Sequence, residues 1–243
     1  MSRMRGTLSP RAGQSVFRYG ETNVKKAISG ILGPSIGLIA ICIILTILSA
    51  DFLTFNNLSN VVKQVAVNAI LASGATMIII MGGIDLSVGS LLALSGAVAG
   101  VVILKAGIPA GIIAGLGVGI AAGVFNGALI SYGRVAPFII TLGSMTILRS
   151  LTLVFTNGQP ISNYPEKFLT LGDGTLFGII PVPVLIAAFV LAVTHIILKH
   201  SRFGRYIYAI GGNEEATRLS GVRVARYKLF IYALSGFTCA LAG

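Results

Sequence analysis

Residues 108–131 read IPAGIIAGLGVGIAAGVFNGALIS, an uncharged run with the ~20 residues needed to cross a bilayer as a helix. Glycine recurs in it at every fourth position: Gly111, Gly115, Gly119, Gly123 and Gly127. Residues four apart share one helix face, and small residues let helix backbones approach closely in lipid. The run therefore predicts a helix near the centre of a compact bundle, packed through this glycine ridge. Asn126, beside the ridge, is expected to hydrogen-bond to a neighbouring helix.

The rest of the chain is equally apolar. Of its 243 residues, 55% are hydrophobic and 10% charged, with a mean hydropathy of +0.91, whereas soluble domains carry about 25% charged residues. Apolar runs of membrane-spanning length are expected at 28–49, 62–81, 86–104, 108–131, 136–156 and 179–198, and a seventh begins near Tyr227. The sequence predicts an all-α, polytopic transmembrane helix bundle with about six complete spans and a truncated seventh. Its membrane domain, 28–243, is expected to be incomplete at the C-terminus.

Positive charge is concentrated at the amino terminus and in one loop. The net charge is +11, and the loop 199–228 holds seven of the 18 Lys and Arg residues. If the basic tail 1–27 is cytoplasmic, fourteen cations lie inside and three outside, as the positive-inside rule predicts. The basicity therefore indicates the topology of a multi-pass protein with a cytoplasmic N-terminus, and nucleic acid is excluded as a partner.

Asp85, in the sequence MGGIDLSVGS between the second and third spans, is an acidic side chain at membrane depth. Such a charge costs about 2.5–3.5 kcal/mol at the bilayer centre and needs a physical reason. The preceding glycine pair ends one helix, and Asp85 is placed to cap a helix starting at Leu86 by accepting the N–H of Ser87 or Val88. The alternative is a substrate path, because broken helices often line one.

Three other polar side chains within the spans are candidates for a translocation path or for structural contacts. Arg149 either snorkels to the outer interface, pairs across the bundle or binds a polar substrate. Gln64 and Asn68 lie one turn apart on the second span and are expected to face the same interior.

Signatures of catalysis and of metal binding are missing from the sequence. There is no Gly-Lys dipeptide for a P-loop, no HExxH motif, and only two histidines in the chain. We therefore expect a transport subunit without an ATPase site of its own, without a cofactor and without a metal.

Within the loop 199–228, the stretch GGNEEATRLSG (211–221) has the pattern of a short helix. An N-cap, two first-turn acids, a last-turn base and a glycine suited to a left-handed end follow in order: Asn213, Glu214, Glu215, Arg218 and Gly221. Two turns of helix do not persist alone in water. The segment therefore needs a surface to rest on, either its own spans or a second protein.

Residues 215–221, EATRLSG, resemble the EAA-x-x-x-G loop of ABC importer permeases, with Thr in place of the second Ala. Three stretches in the same order resemble ribose-type monosaccharide permeases: GRYIYAIGGNEEATRLSGV (204–222), GGIDLSVGSLLALSGAVAG (82–100) and TLGSMTILRSLTLVFTNG (141–158). The resemblance extends from about Phe52 to Gly243.

This resemblance implies an importer of a monosaccharide, ribose or another pentose, in the bacterial plasma membrane. A periplasmic or extracellular sugar-binding protein delivers the sugar, two permease subunits in the lipid form the path, and a cytosolic ATP-binding subunit moves coupling helices. The implied coupling positions are Asn213, Glu214, Glu215, Ala216, Arg218 and Gly221.

The residues alone leave two other functions open. One is an ion-coupled secondary transporter of a small polar solute, with Asp85 and Arg149 as gating charges. The other is a membrane scaffold that transports nothing. Dependence of uptake on a separate ATPase distinguishes the importer from both.

Overall fold

The computed structural model of the protein describes residues 33–176 and 178–243. The chain divides into two compact units, with the boundary between Leu58 and Ser59. The first unit contains the apolar helix α1 (Gly33–Leu48), which falls within the predicted first span. The start of that span and the basic tail 1–27 lie outside the described residues.

Helix α2 (Phe55–Ile80) begins before this boundary and continues into the second unit. The elements that follow are α3 (Val88–Ala106), α4 (Ile108–Ser131), α5 (Pro137–Thr156), α6 (Glu166–Gly172), the strands β1 (Thr175–Leu176) and β2 (Ile180–Pro181), α7 (Val182–His200), α8 (Arg202–Gly212), α9 (Glu214–Leu219) and α10 (Val224–Ala242).

Among the described residues, five helices are long and apolar enough to cross a membrane: α2, α3, α4, α5 and α7. This confirms the predicted all-α, polytopic bundle. Helix α4 has the predicted bounds, whereas α2 begins at Phe55 and not at 62. The predicted seventh span falls on α10, which begins at Val224. Arg226 and Lys228 in its first turns lower its hydropathy, so α10 is not among the five.

Helix α4 contacts α3, α5 and α10, and the glycine ridge is its buried face. A Cβ added at Gly111 or Gly115 would crowd the backbone of α3. One added at Gly119, Gly123 or Gly127 would crowd the backbone of α10. Glycine is therefore required for close approach to two helices, each on one half of the ridge.

One end of the second unit, which we call the loop end, is where α2, α4 and α7 finish and α3, α5 and α10 begin. Helices α8 and α9 pack there. The hydrophobic core of the loop end combines buried side chains of α2, α4, α8 and α10 and of the turn after α2: Met77, Ile78, Met81, Ile130, Ile207, Ile210, Val224, Ile231 and Tyr232. Helix α8 is thus part of the bundle core although it is not one of the membrane-spanning helices.

The opposite end carries α6 and the antiparallel pair β1–β2, which lie between α5 and α7 in the chain. Lys63 Nζ donates to Asp173 Oδ1 at 2.9 Å, which ties α2 to the residue after α6. The Asp173 side chain is 81% exposed. Such a surface ion pair contributes about 0.2–1 kcal/mol, so it adds little stability to this end.

Candidate functional site

Helix α8 anchors the 199–228 segment to the bundle. The hydroxyl of Ser201 accepts the N–H of Gly204 at 3.0 Å and so caps the start of the helix. Ile207 and Ile210 are buried in the loop-end core, while the opposite face of α8 is exposed. Gly211 lies so close to the carbonyl of Ile80 that a Cβ would overlap it. The end of α8 therefore rests directly on the end of α2.

Helix α9 is short, and side-chain hydrogen bonds define it. Asn213 Oδ1 accepts the N–H of Ala216 at 2.9 Å, so Asn213 is its N-cap. The buried Thr217 hydroxyl donates to the carbonyl of Ala209 at 2.9 Å, which joins α9 to α8. Gly221 has φ +87°, the left-handed region in which glycine ends helices. The segment thus has the predicted N-cap and the predicted left-handed glycine, and it rests on its own chain.

The outer face of α9 carries paired charges and one apolar side chain. Arg218 binds Glu215 through two hydrogen bonds, of 2.6 and 3.1 Å, and these bonds hold the pKa of the Glu215 carboxyl below its usual value. Lys228 Nζ donates to Glu214 Oε1 at 2.7 Å and ties the start of α9 to α10. Leu219 is 77% exposed. The outer face of α9 therefore leaves one apolar side chain and the Glu215–Arg218 pair accessible from outside the bundle.

The structure confirms the expected hydrogen bond from the Ser87 N–H to Asp85 and corrects the expected start of the helix. Helix α3 begins at Val88 with Ser87 as its N-cap, not at Leu86. Asp85 Oδ1 accepts both the backbone N–H of Ser87 at 2.9 Å and its hydroxyl at 2.6 Å. A carboxylate bonded to the residue two positions on forms an Asx turn, which keeps Leu86 outside the helix. Asp85 therefore orders the break between α2 and α3.

From this break, hydrogen bonds extend to three helices, α4, α5 and α10. Asn126 of α4, 1% exposed, donates to the Ser87 hydroxyl at 3.1 Å and accepts a short hydrogen bond from Ser144 of α5. Tyr232 of α10 donates its hydroxyl to the carbonyl of Ile84 at 3.1 Å. The break is thus hydrogen-bonded to α4, α5 and α10 at the level where α8 meets α2.

The other predicted polar residues lie apart from this network. Gln64 and Asn68 of α2 are both exposed, so they do not face a common buried interior. Gln64 lines a cavity of about 520 Å³ with Tyr164 and Phe168, at the end of the bundle opposite the loop end. Arg149 is exposed on α5 and makes no ion pair or hydrogen bond with any described residue.

The exposed face of α5 is a feature that sequence reasoning missed. The helix buries Thr141, Ser144 and Leu148. At about 100° per residue, Thr146 and Ser150 lie about 200° and 240° around the helix from Ser144, and Gly143 and Asn157 share that face. All four residues are exposed. On the side turned away from the bundle these residues form a small, polar stripe, which we call the polar face of α5, between exposed leucine, isoleucine and valine side chains. The spacing 143, 146, 150 is the signal that indicates this stripe.

Comparison with known proteins places this architecture among permeases. Residues 57–243 match the family model described as the branched-chain amino acid transport system / permease component. The ribose import permease protein of Haemophilus influenzae is 45% identical over 86% of the chain and 66% of its own length. The one from Bacillus subtilis is 47% identical over 87% of the chain and 66% of its own length.

A more distant relative is also named for a sugar. The D-allose transport system permease protein of Escherichia coli is 36% identical over 79% of the chain and 59% of its own length. The chain spans about two thirds of the length of the ribose permeases that it matches. No solved structure matches it significantly.

Proposed function

The chain belongs to the family described as the branched-chain amino acid transport system / permease component, and from this membership we propose that it is the membrane-spanning permease subunit of an ATP-driven importer. Its partners are a cytosolic ATP-binding subunit, a sugar-binding protein outside the membrane and a second permease subunit. The importer lies in the bacterial plasma membrane, with the N-terminus and the loop end in the cytoplasm. The chain itself supplies no ATPase site.

The transported solute in this proposal is a monosaccharide, ribose or another pentose. The family description refers to amino acids, but relatives that are 36–47% identical over 79–87% of the chain are named for ribose and D-allose. Likeness to individual proteins over most of the chain weighs more than a description that covers the whole family. A sugar also suits the polar face of α5, because hydroxyl groups hydrogen-bond to hydroxyl groups.

The observation that carries the proposal is that α9 is anchored on the bundle yet exposed to a partner. Thr217 fastens α9 to α8, while Leu219 and the Glu215–Arg218 pair project outward. The ATP-binding subunit docks on this outer face. Because α9 is too short to be stable alone, it depends on its contact with α8. A displacement of α9 by the ATP-binding subunit therefore moves α8 as well.

The contacts at the loop end form a continuous route for that motion. Helix α8 rests on the end of α2 at Gly211, and the break after α2 is held by Asp85. Asn126 links the break to Ser144 of α5. Movement of α9 therefore shifts α5 through a chain of packed and hydrogen-bonded groups, so ATP binding changes access to the sugar path.

The sugar path in this proposal lies between two copies of the permease, with the polar face of α5 turned toward it. Lipid-facing helix surfaces are apolar, whereas Gly143, Thr146 and Ser150 give this one small and hydroxyl-bearing groups. Small residues also favour close contact with a second copy. Arg149 flanks the face and has a charge that a polar path or a partner subunit would satisfy.

The test is reconstitution of the full-length permease with its ATP-binding subunit and sugar-binding protein in proteoliposomes. Ribose, D-allose and leucine are compared for stimulation of ATP hydrolysis and for uptake. We expect a sugar to stimulate both, and uptake to vanish when the ATP-binding subunit is omitted. Stimulation by leucine alone would contradict a sugar substrate.

Two outcomes would favour the other functions. Uptake that persists without the ATP-binding subunit and collapses with an ionophore at constant ATP would establish an ion-coupled transporter, with Asp85 and Arg149 as gating charges. If the reconstituted protein moved no solute under any energised condition, the remaining function would be that of a membrane scaffold.

A further inference from the structure

A pocket of about 500 Å³ lies between α8, α10 and the turn after α9, and the transport roles proposed above do not use it. This volume is within the ~300–1,000 Å³ range of small-molecule sites. Its principal lining residues are four aromatic side chains and two arginines: Phe203, Tyr206, Tyr227, Phe230, Arg223 and Arg226. We call it the arginine–aromatic pocket.

The aromatic side chains form a wall that the fold itself assembles. The ring centroids of Phe203 and Tyr227 are 5.5 Å apart, those of Tyr206 and Tyr227 are 5.1 Å apart, and those of Phe203 and Phe230 are 6.0 Å apart. These spacings are within the favourable range for tilted and edge-to-face pairs. Phe230 is 65% exposed, so the wall opens onto the outer surface of α10. A ligand here meets a preformed apolar surface on one side.

The charge of the pocket is positive and uncompensated. Arg223 and Arg226 are exposed, and their guanidinium groups make no ion pair or hydrogen bond with any described residue. The acids of the same loop, Glu214 and Glu215, are both bound to other cations. No acidic residue is among the described side chains that line the pocket. Two free guanidinium groups are suited to an anion, and above all to a phosphate, which they bind bidentately.

The positive charge and the exposed aromatic ring of the pocket follow one another along α10. Arg223 and Arg226 lie at its start, and Phe230 lies four residues, about 6 Å, beyond Arg226 toward the membrane interior. A soluble phosphate compound would leave the exposed Phe230 ring unused. Aromatic rings and arginines at the membrane–water interface are typical of lipid contact.

We propose that the arginine–aromatic pocket binds the headgroup of an anionic phospholipid. The phosphate lies on Arg223 and Arg226, and the glycerol and first acyl carbons lie against Phe203 and Phe230. The ligand is recognised by chemistry that is independent of the transported solute, so this site stands whichever solute the permease moves.

Lipid bound in the pocket would also affect α9, and this effect rests on the coupling role proposed for that helix. Ser220 and Gly221, which end α9, form another wall of the pocket. A bound headgroup therefore contacts the turn that joins α9 to α10. Anionic lipid then holds α9 in its observed position and raises the coupling of ATP hydrolysis to uptake.

The experiment uses the purified full-length permease and counts retained phosphatidylglycerol by native mass spectrometry, with phosphatidylcholine as the neutral lipid. The test variant is the double substitution Arg223→Gln and Arg226→Gln. Its matched control is Arg202→Gln and Arg205→Gln, which removes the same charge from exposed positions on α8 that are not among the lining residues. Phe230→Ala is a second test variant that keeps every charge.

We expect the Arg223/Arg226 variant to lower phosphatidylglycerol affinity at least about tenfold, from two lost charge contacts. Phe230→Ala also lowers it, and the Arg202/Arg205 control changes it less than about twofold. Equal losses of phosphatidylglycerol affinity in the two double variants would overturn the site, because any positive charge near the bilayer would then explain the binding. Competition by glycerol 3-phosphate as strong as that of phosphatidylglycerol would overturn the lipid as the source of the phosphate. Complete displacement of the lipid by the ATP-binding subunit would show that the pocket is a protein interface instead.

Discussion

Helices α4 and α5 are neighbours that use small residues for opposite purposes. On α4 the glycines face inward and bring the backbones of α3 and α10 close. On α5, Gly143, Thr146 and Ser150 face outward, away from the bundle, while Thr141, Ser144 and Leu148 face in. The contrast teaches that small residues do not by themselves indicate what a helix face contacts.

The Asp85–Ser87–Asn126–Ser144 network joins these two helices at the loop end. Substitutions on the α4 ridge should therefore affect folding, and substitutions on the polar face of α5 should affect transport alone. Substitutions in the network should affect both, because the network stabilises the break and transmits motion.

The largest effect is expected at the ridge. Gly123→Leu places side-chain atoms where the Tyr232 carbonyl and the Ala233 backbone lie. Since backbone cannot yield as a flexible side chain can, we expect a loss of about 3 kcal/mol or more of stability, measured as the fraction of monodisperse protein and its Tm in detergent. Gly117→Leu on the same helix, with nothing within 4 Å of the added Cβ, is the control. An equal loss of stability in both variants would contradict the packing role of the ridge.

Asn126→Leu is expected to have the next largest effect. It removes the acceptor of the buried Ser144 hydroxyl and one of the two hydrogen-bond partners of the Ser87 hydroxyl, which keeps Asp85. Leaving buried polar groups unpaired costs about 1–3 kcal/mol, which thermal unfolding would reveal. In a double-mutant cycle with Ser144→Ala, the two losses should be less than additive. Additive losses would mean that the two side chains do not interact.

Asp85→Asn should have a smaller effect, because the amide oxygen of asparagine can still accept both hydrogen bonds from Ser87. We expect a change in stability below about 1 kcal/mol and retention of most uptake activity. Asp85→Ala, which lacks an acceptor, should lose more of both. If an Asp85→Asn protein folded normally but did not transport, the negative charge of Asp85 would be required for transport itself.

Ser150→Leu on the polar face of α5 should change stability by no more than about 0.5 kcal/mol, since Ser150 is exposed. Uptake in proteoliposomes should nevertheless fall severalfold, because a leucine blocks a polar path or the contact with a second copy. Val154→Leu, also on the exposed surface of α5, is the control and should leave uptake unchanged. Normal uptake by Ser150→Leu would place the path elsewhere.

Local patterns allowed much of this structure to be predicted from the sequence. The spacing of the α4 glycines indicates its buried face, and the Asn213 cap and Gly221 indicate the ends of the α9 segment, because both signals act within one helix. The network depends on long-range contact: Ser144 meets Asn126 only after α4 and α5 pack. Likewise, which faces of α2 and α5 remain exposed depends on their neighbours, so the positions of Gln64, Asn68 and Arg149 were not evident.

The central claim is that α9 couples a separate ATPase to sugar movement, and the ratio of sugar uptake to ATP hydrolysis tests it most directly. The variant is Glu215→Lys, which breaks the bond to Arg218 on the outer face of α9. Glu166→Lys, the same charge reversal on exposed α6, is the control. In proteoliposomes we predict normal membrane insertion for both, an uptake-to-hydrolysis ratio lowered at least about tenfold by Glu215→Lys, and no change for Glu166→Lys. A normal ratio for Glu215→Lys would contradict the claim.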